Sequence, residues 1–301
     1  PIVAGFVGAD TMACVLATRI YDRDEIRTLV DIGTNGEVVM GSKDGLMVCS
    51  APAGPALEGA QIRHGMRGAL GAIEKVYIDD DVTCDIIGAT PAIGICGSGL
   101  IDACAKLATA EVMEPSGRLR RKKREELPEK LQERLVDTSD GCHFVLVEEE
   151  DSGRDEPIVI TQADIRQVQL AKSAIFSGIV MLQHVMKISD DDLQEVMMCG
   201  GFGNYINIES AVKIRLIPNL PLEKITYSGN AALMGAQMAL LSETERDRAY
   251  DLSLKMEHVA LATRPEFQDI FVDAMTFLGP DTHVGNSQSE ENEMVAAGGA
   301  D

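Results

Sequence analysis

The sequence predicts an α/β protein in which a mixed sheet carries helices on both faces. Two Asx-Gly pairs, Asn35-Gly36 and Asp44-Gly45, separate three short apolar runs, a pattern typical of a three-stranded meander. Two later apolar runs each end in a glycine-rich corner. Because strands alternate with helices after the meander, we expect helices to cover both faces of the sheet.

The individual elements follow from apolar spacing and turn residues. The predicted strands cover residues 28–32, 37–41, 46–51, 72–78, 82–88, 93–96 and 195–199, with a further hairpin between 143 and 160. The predicted helices cover residues 10–21, 57–64, 97–108, 162–187, 228–241, 244–261 and 265–277. Thr161 and Asp164 have capping-box spacing at the start of the 162–187 helix. This order resembles the ribonuclease H-like topology of actin-like ATPases, with insertions.

The charge of the chain excludes two classes of partner. Acidic residues number 48 and basic residues 27, which gives a formal net charge of −21. Nucleic-acid binding needs a wide face of Lys and Arg, and an anionic membrane also attracts basic residues, so neither partner is expected. The basic run at 118–124 is expected to be a solvated helix or an insertion.

The cysteines indicate a reducing compartment. Seven cysteines occur without a C-x-x-C pair or metal-ligand spacing, which is typical of reduced thiols. The sequence has neither a signal-peptide pattern nor an apolar run long enough to cross a bilayer. We therefore expect a cytoplasmic protein.

The segment from Asp31 to Glu37 is the first candidate site. Its backbone N–H groups can form an anion-binding turn, and Gly33 and Gly36 allow a phosphate to approach without interference from a Cβ. Thr34 and Asn35 add side-chain donors, and Asp31 can anchor Mg²⁺ through water. The alternative is an ordinary Asn-Gly hairpin whose aspartate caps the turn.

Two further glycine corners are candidates. In the first, Gly200-Gly201-Phe202-Gly203-Asn204 follows a buried strand, so that a base or ribose can lie against bare backbone; a tight corner is the alternative. In the second, Gly97-Ser98-Gly99 opens a helix, where unpaired N–H groups favour an anion. Ser98 as a simple N-cap is the alternative there.

Four motifs together resemble a known family. They are 30–37 (VDIGTNGE), 49–60 (CSAPAGPALEGA), 94–102 (GICGSGLID) and 199–204 (CGGFGN), and they follow an opening segment 4–11 (AGFVGADT). In this order they resemble the C-terminal actin-like ATPase domain of reductive activators of corrinoid proteins. The resemblance extends to about Leu278 and is weakest near 116–160 and in the tail.

The resemblance implies a function and a set of roles. It implies Mg-ATP hydrolysis coupled to the return of a cobalt(II) corrinoid to cobalt(I), with a corrinoid protein as partner and a homodimer as the assembly. By the same analogy, residues 31–36 form the second phosphate loop and residues 200–204 the adenosine site. Asp31 places Mg²⁺, and Glu37 or Asp102 orients the attacking water. An iron–sulfur cluster is expected only in an upstream domain.

The resemblance also predicts a division of the chain. Residues 1–28 are expected to be the remnant of a preceding lobe, residues 29–278 the actin-like lobe with an insertion near 116–160, and residues 279–301 a mobile tail. A single Asp-Ile-Gly-Thr loop suggests a fragment in which ATPase activity is uncertain. A small-molecule kinase, an activator of a radical dehydratase, and a non-enzymatic dimerisation and docking module are the alternatives.

Overall fold

The computed structural model describes residues 1–201, 205–279 and 282–285. In this part of the chain the strands are β1 (Arg27–Ile32), β2 (Gly36–Ser42), β3 (Gly45–Ala51), β4 (Ala72–Ile78), β5 (Val82–Ile86), β6 (Gly94–Ile95), β7 (Leu135–Thr138), β8 (Gly141–Val147), β9 (Ile158–Thr161), β10 (Glu195–Cys199), β11 (Ile225–Gly229) and β12 (Glu257–His258). The helices are α1 (Ala9–Thr18), α2 (Gly97–Thr109), α3 (Glu129–Glu133), α4 (Gln162–Met186), α5 (Ile208–Lys213), α6 (Ala231–Leu241), α7 (Glu243–Lys255) and α8 (Phe267–Asp273).

The main sheet is mixed and has the order β11-β10-β1-β2-β3-β12. The predicted meander is confirmed, because β2 pairs antiparallel with both β1 and β3. On the other side of β1, β10 and then β11 pair in the parallel direction. Thus β1 and β10 are parallel neighbours, and their carboxyl ends leave the sheet at the same edge.

Helices cover both faces of this sheet, as the sequence predicts. Along β1, Leu29 packs in one buried cluster with residues of α1 and α6, whereas Val30 packs in the other, with residues of α2 and α4. The same alternation occurs at Val38 and Val39 of β2. Because successive side chains of a strand point to opposite faces, a strand buried on both sides is apolar throughout.

A second layer contains two small sheets, β5-β4-β6 and β7-β8-β9. Both predicted hairpins are confirmed, at β4–β5 and at β8–β9. The basic run lies within the expected insertion, but it does not form one continuous helix. A 3₁₀ segment at Arg121–Glu126 is followed by α3, whose N-cap is Pro128. Pro128 separates the two because a residue before proline disfavours helical backbone.

Several predicted helices differ in the structure. The helix expected over 244–261 ends at Lys255, and β12 pairs with β3 where its last residues were expected. The helix expected over 57–64 is only a 3₁₀ turn at Pro55–Glu58, and Gly59 ends it in a left-handed conformation with φ of 83°. The helix expected from about residue 228 begins at Ala231, because Asn230 caps it and accepts a hydrogen bond from the Leu233 N–H at 2.9 Å. Residues 225–229 form β11 instead.

The long helix α4 begins as predicted. The Thr161 side chain accepts from the Asp164 N–H at 3.0 Å, and the Asp164 carboxylate accepts from the Thr161 N–H at 2.9 Å. This reciprocal pair satisfies two donors at the start of a 25-residue helix. The capping box thus sets the residue at which α4 begins on its face of the main sheet.

The two ends of the chain bear on the predicted division. Helix α1, expected to belong to a preceding lobe, packs in the same buried cluster as β1, β2 and α6. In the expected tail, Asn219 holds residues 282–285 through the His283 carbonyl and the Gly285 N–H. The tail residues 280–281 and 286–301 lie outside the described part, and the boundaries at 28 and 279 stay predictions.

Candidate nucleotide site

The glycine corners after β1 and β10 meet at one edge of the main sheet. Asp31 of β1 pairs with Cys199 of β10, so the residues that follow each strand leave side by side. Gly200 has a φ of 115°, and a Cβ there would lie 2.7 Å from the Ile32 carbonyl oxygen. Only glycine therefore allows the second corner to lie directly against the first.

A cavity of about 560 Å³ opens beside these corners. Its volume is in the range of small-molecule sites. It lies between the edge of the main sheet and the layer formed by β4, β6 and the start of α2. Its lining residues are Ile32, Gly33, Leu57, Glu58, Met66, Arg67, Gly68, Glu74, Ile87, Cys96, Gly97, Ser98, Gly201 and Tyr205. Residues from all four motifs of the sequence thus line one cavity.

The candidate glycines divide by their surroundings. A Cβ on Gly33 would make only an ordinary contact, 3.4 Å from the Asn35 carbonyl oxygen, and one on Gly201 would meet no described atom within 4 Å. A Cβ on Gly36 would instead lie 2.5 Å from Cγ1 of Ile175 on α4. Gly33 and Gly201 therefore present bare backbone to the cavity, whereas Gly36 allows α4 to pack closely on β2.

The start of α2 lines the cavity but is also tightly packed. A Cβ on Gly97 would lie 2.0 Å from the Leu57 carbonyl oxygen, and one on Gly99 would lie 2.2 Å from that of Ile73. No side chain caps the helix at Cys96, so Ser98 is not the predicted N-cap. The Ser98 hydroxyl lies 3.2 Å from Cys96 Sγ. The first N–H groups of α2 are thus without a side-chain cap beside the cavity.

Asp31 lies next to the cavity on the opposite face of β1. The Cys14 thiol of α1 donates to its Oδ2 over 3.4 Å, whereas the following residue, Ile32, lines the cavity. Burial raises the pKa of the Asp31 carboxyl. A nearby cation favours the charged form of such a group, and Mg²⁺ takes one or two carboxylates together with phosphate oxygens. The Asp31 carboxylate is a ligand of this kind.

Glu37 is the cross-strand neighbour of Asp31, so both side chains lie on the same face of the sheet. The Ser50 hydroxyl donates to Glu37 Oε1 at 3.1 Å. Burial raises the pKa of the Glu37 carboxyl to about 7, and the charges of Asp31 and Asp10 add to the shift. A carboxyl that titrates near neutral pH can accept a proton from water.

Asp102 is placed differently. It is buried on α2 and does not line the cavity. Its Oδ2 accepts from the Val76 N–H at 2.6 Å, and its Oδ1 accepts from the Ser210 hydroxyl. These bonds join α2 to β4 and α5. The geometry therefore favours a structural role for Asp102 over the orientation of a water molecule.

The tip of the first corner is exposed. The Thr34 hydroxyl donates to Glu58, and the Thr34 carbonyl accepts from the Gly54 N–H at 2.8 Å. Thus the 52–58 segment holds the tip in place, and Asn35 is exposed beside it. Phe202, Gly203 and Asn204 of the second corner lie outside the described residues.

Sequence reasoning missed several lining residues. Glu58, Met66, Arg67, Glu74 and Tyr205 line the cavity, yet none of the first four belongs to a glycine corner. Tyr205 directly follows the CGGFGN motif and Glu58 belongs to the 49–60 motif, and these positions were the available signals. Within the described ranges, no group of three His, Cys, Asp or Glu can hold a metal ion, and no helix has the length and hydropathy to cross a bilayer.

The strand order of the main sheet is that of the actin-like fold. The model of the C-terminal domain of RACo, the ASKHA domain, matches residues 25–288. The chain therefore belongs to this family, and the predicted fold class is confirmed.

Three relatives extend the comparison. The chain is 38% identical over 274 residues to the corrinoid activation enzyme RamQ of Eubacterium limosum, covering 90% of this chain and 46% of RamQ. It is 25% identical over 302 residues to the [Co(II) methylated amine-specific corrinoid protein] reductase of Methanosarcina barkeri, covering 92% of this chain and 51% of the reductase. A solved reductive activator for a corrinoid, iron-sulfur protein superposes with a TM-score of 0.85 at 40% identity, covering 94% of this chain and 45% of that one. The chain spans about half the length of these relatives.

Proposed function

We propose that this chain is the ATP-binding and ATP-hydrolysing part of a reductive activator of corrinoid proteins. The observation that carries the proposal is the cavity that Gly33, Gly201 and the start of α2 line together. Backbone N–H groups in turns and at helix starts suit phosphate, and bare glycine backbone suits a closely packed nucleotide. The similarity to two proteins named for corrinoid activation or reduction supports the choice of partner.

In this proposal, residues on the two sides of the sheet edge have different tasks. Gly33 and the α2 N–H groups bind the phosphates, and Gly201 and Tyr205 contact the nucleoside. On the other side of the edge, Asp31 holds Mg²⁺ through water. Glu37 accepts a proton from the water that attacks the terminal phosphate, which releases ADP and inorganic phosphate. The phosphate chain would cross the sheet edge between these groups.

The energetic coupling follows from binding. ATP shifts a conformational equilibrium only as far as it binds one state more tightly than the other. We propose that the ATP-bound state engages a corrinoid protein whose cobalt(II) accepts one electron and becomes cobalt(I). We place the electron donor, an iron–sulfur cluster, in an upstream domain of the protein. The homodimer and, given seven free cysteines, a cytoplasmic location are parts of the same proposal.

Anaerobic absorption spectroscopy tests this function. The protein in its full natural length is mixed with a cobalt(II) corrinoid protein and a reductant, with and without Mg-ATP. We expect cobalt(I) to form only with ATP, and Asp31→Asn to slow it at least about tenfold, because the variant loses the Mg²⁺ carboxylate. Asp44→Asn, in an exposed turn, is the control and leaves the rate unchanged.

Two outcomes would contradict the proposal. The first is cobalt(I) formation at the same rate without ATP. The second is ATP turnover that requires an added hydroxyl compound or carboxylate, which would instead identify a small-molecule kinase.

A further inference from the structure

The charges around the cavity do not by themselves suit a polyanion. Glu58 and Glu74 both line it, and their carboxylates repel a phosphate chain. Among the residues that line the cavity, Arg67 is the one with a basic side chain. A ligand with several negative charges therefore depends on this guanidinium as well as on any cation that it brings.

Arg67 has no side-chain partner in the part of the chain that the structure describes. Its side chain is exposed, and within the described residues it makes no ion pair and no hydrogen bond. Arg63, four residues earlier, contrasts with it: its guanidinium lies 3.5 Å from His143 Nδ1 and 3.7 Å from Asp140, away from the cavity. Since Arg67 pairs with neither of the two carboxylates that line the same cavity, no described residue occupies its N–H donors.

The backbone brings Arg67 to the start of α2. Gly65 forms a parallel bridge with Ile95. The Ile95 N–H donates to the His64 carbonyl oxygen at 2.8 Å, and the Met66 N–H donates to the Ile95 carbonyl oxygen at 2.9 Å. Two residues beyond this bridge, Arg67 on one segment and Gly97, the first residue of α2, on the other both line the cavity. The guanidinium and the uncapped end of the helix thus share one wall of the cavity.

We propose that Arg67 binds the phosphate chain of the nucleotide and makes the cavity select nucleoside polyphosphates over nucleosides. The inference rests on the proposed function and adds a residue and a specificity to it. A guanidinium presents a planar fork of N–H donors that fits two phosphate oxygens at once. Lysine supplies the charge at this position but not the fork.

Calorimetry on the protein in its full natural length tests Arg67. Mg-ATP and adenosine are the two probes, and Arg67→Gln, Arg67→Lys and Arg63→Gln are the variants. We expect Arg67→Gln to weaken Mg-ATP binding about 10-fold to 100-fold, the range for a charge-assisted hydrogen bond, and to change adenosine binding less than about twofold. Arg67→Lys recovers part of the loss, and Arg63→Gln matches the unaltered protein for both probes.

The outcomes separate this inference from the proposed function. If the unaltered protein binds Mg-ATP and Arg67→Gln binds it equally well, the role of Arg67 is wrong and the nucleotide site stands. An equal loss for ATP and adenosine also overturns it, since Arg67 then contacts the nucleoside. If the unaltered protein does not bind Mg-ATP, the proposed function and the role of Arg67 fall together. Unchanged melting temperatures of the exposed-residue variants exclude misfolding as the cause.

Discussion

At the scale of single residues, glycines with the same sequence signature have different tasks. Gly33 and Gly36 lie in the same turn motif, but Gly33 lines the cavity and a Cβ there would make only an ordinary contact, whereas one on Gly36 meets the buried Ile175 of α4. The sequence predicts both as phosphate-loop glycines, because it does not show which neighbour each position will meet. The distinction appears only when α4 packs on the sheet.

Alanine substitutions separate the two tasks. Gly33→Ala and Gly201→Ala are expected to leave the melting temperature unchanged and to weaken Mg-ATP binding at least about tenfold, because each added methyl occupies space at the cavity. Gly36→Ala is expected to lower stability by about 1–3 kcal/mol, the usual cost of overpacking. Thermal melts and calorimetry on the three variants check this. Equal destabilisation by all three would show that Gly33 and Gly201 are packing residues.

Glu37 gives a prediction on pH dependence. Its pKa in the folded protein is about 7 because of burial, above its usual value of 4.5, so between these values the folded state binds more protons than the unfolded state. Its contribution to stability is therefore complete below about pH 4.5 and is lost as the pH rises through 7. The free energy of unfolding of Glu37→Gln, measured relative to that of the unaltered protein, should therefore be higher at pH 8 than at pH 4.5.

Denaturant unfolding at both pH values measures this difference. Glu58→Gln is the control, since Glu58 is an exposed carboxylate of the same site. A stability difference between Glu37→Gln and the unaltered protein that is the same at both pH values would contradict the raised pKa.

At the scale of elements, α1 and α6 pack through one glycine. A Cβ on Gly235 of α6 would lie 1.9 Å from the Ala13 carbonyl oxygen of α1. This contact is backbone, so a neighbouring rotamer change cannot relieve it. The close approach packs α1 against α6, which lie far apart in the chain. Both helices cover the face of the main sheet opposite α4.

Gly235→Ala is therefore expected to destabilise the fold by about 1–3 kcal/mol through overpacking, even though alanine favours helix more than glycine does. Gly45→Ala, at a position with nothing within 4 Å of the added methyl, is the matched control and should change stability by less than about 0.5 kcal/mol. Chemical denaturation of both variants checks this. If Gly235→Ala were more stable than the unaltered protein, the helix propensity of alanine would outweigh the close contact with the Ala13 carbonyl.

The sequence predicts most elements of this fold, and its failures have physical reasons. The meander, the two hairpins and α4 follow from turn residues, apolar alternation and a capping box. Strand β11 was missed because its residues are only partly buried and run into the Ala-rich helix α6. The prediction of a helix over 57–64 was wrong because the chain turns at Gly59, Gln61 and Gly65. These turns bring the segment into contact with Met66 and β6.

At the scale of the whole molecule, the site depends on which elements become neighbours. The family resemblance assigns the corners after β1 and β10 to one nucleotide site, and the parallel pairing of these strands places the two corners side by side. The residues that complete the cavity, such as Met66 and Glu74, have no local signature, since only the packing of the second layer on the sheet edge brings them there.

Hydrogen exchange with and without Mg-ATP, on the protein in its full natural length, tests the central claim that these corners hold one nucleotide. The account predicts that ATP slows exchange together in peptides covering residues 33–36, 97–99 and 200–201, and leaves the β7–β8 hairpin unchanged. Gly201→Ala should weaken the protection of all three segments at a fixed ATP concentration. ATP that binds without protecting both the 33–36 and the 200–201 segments would contradict the claim.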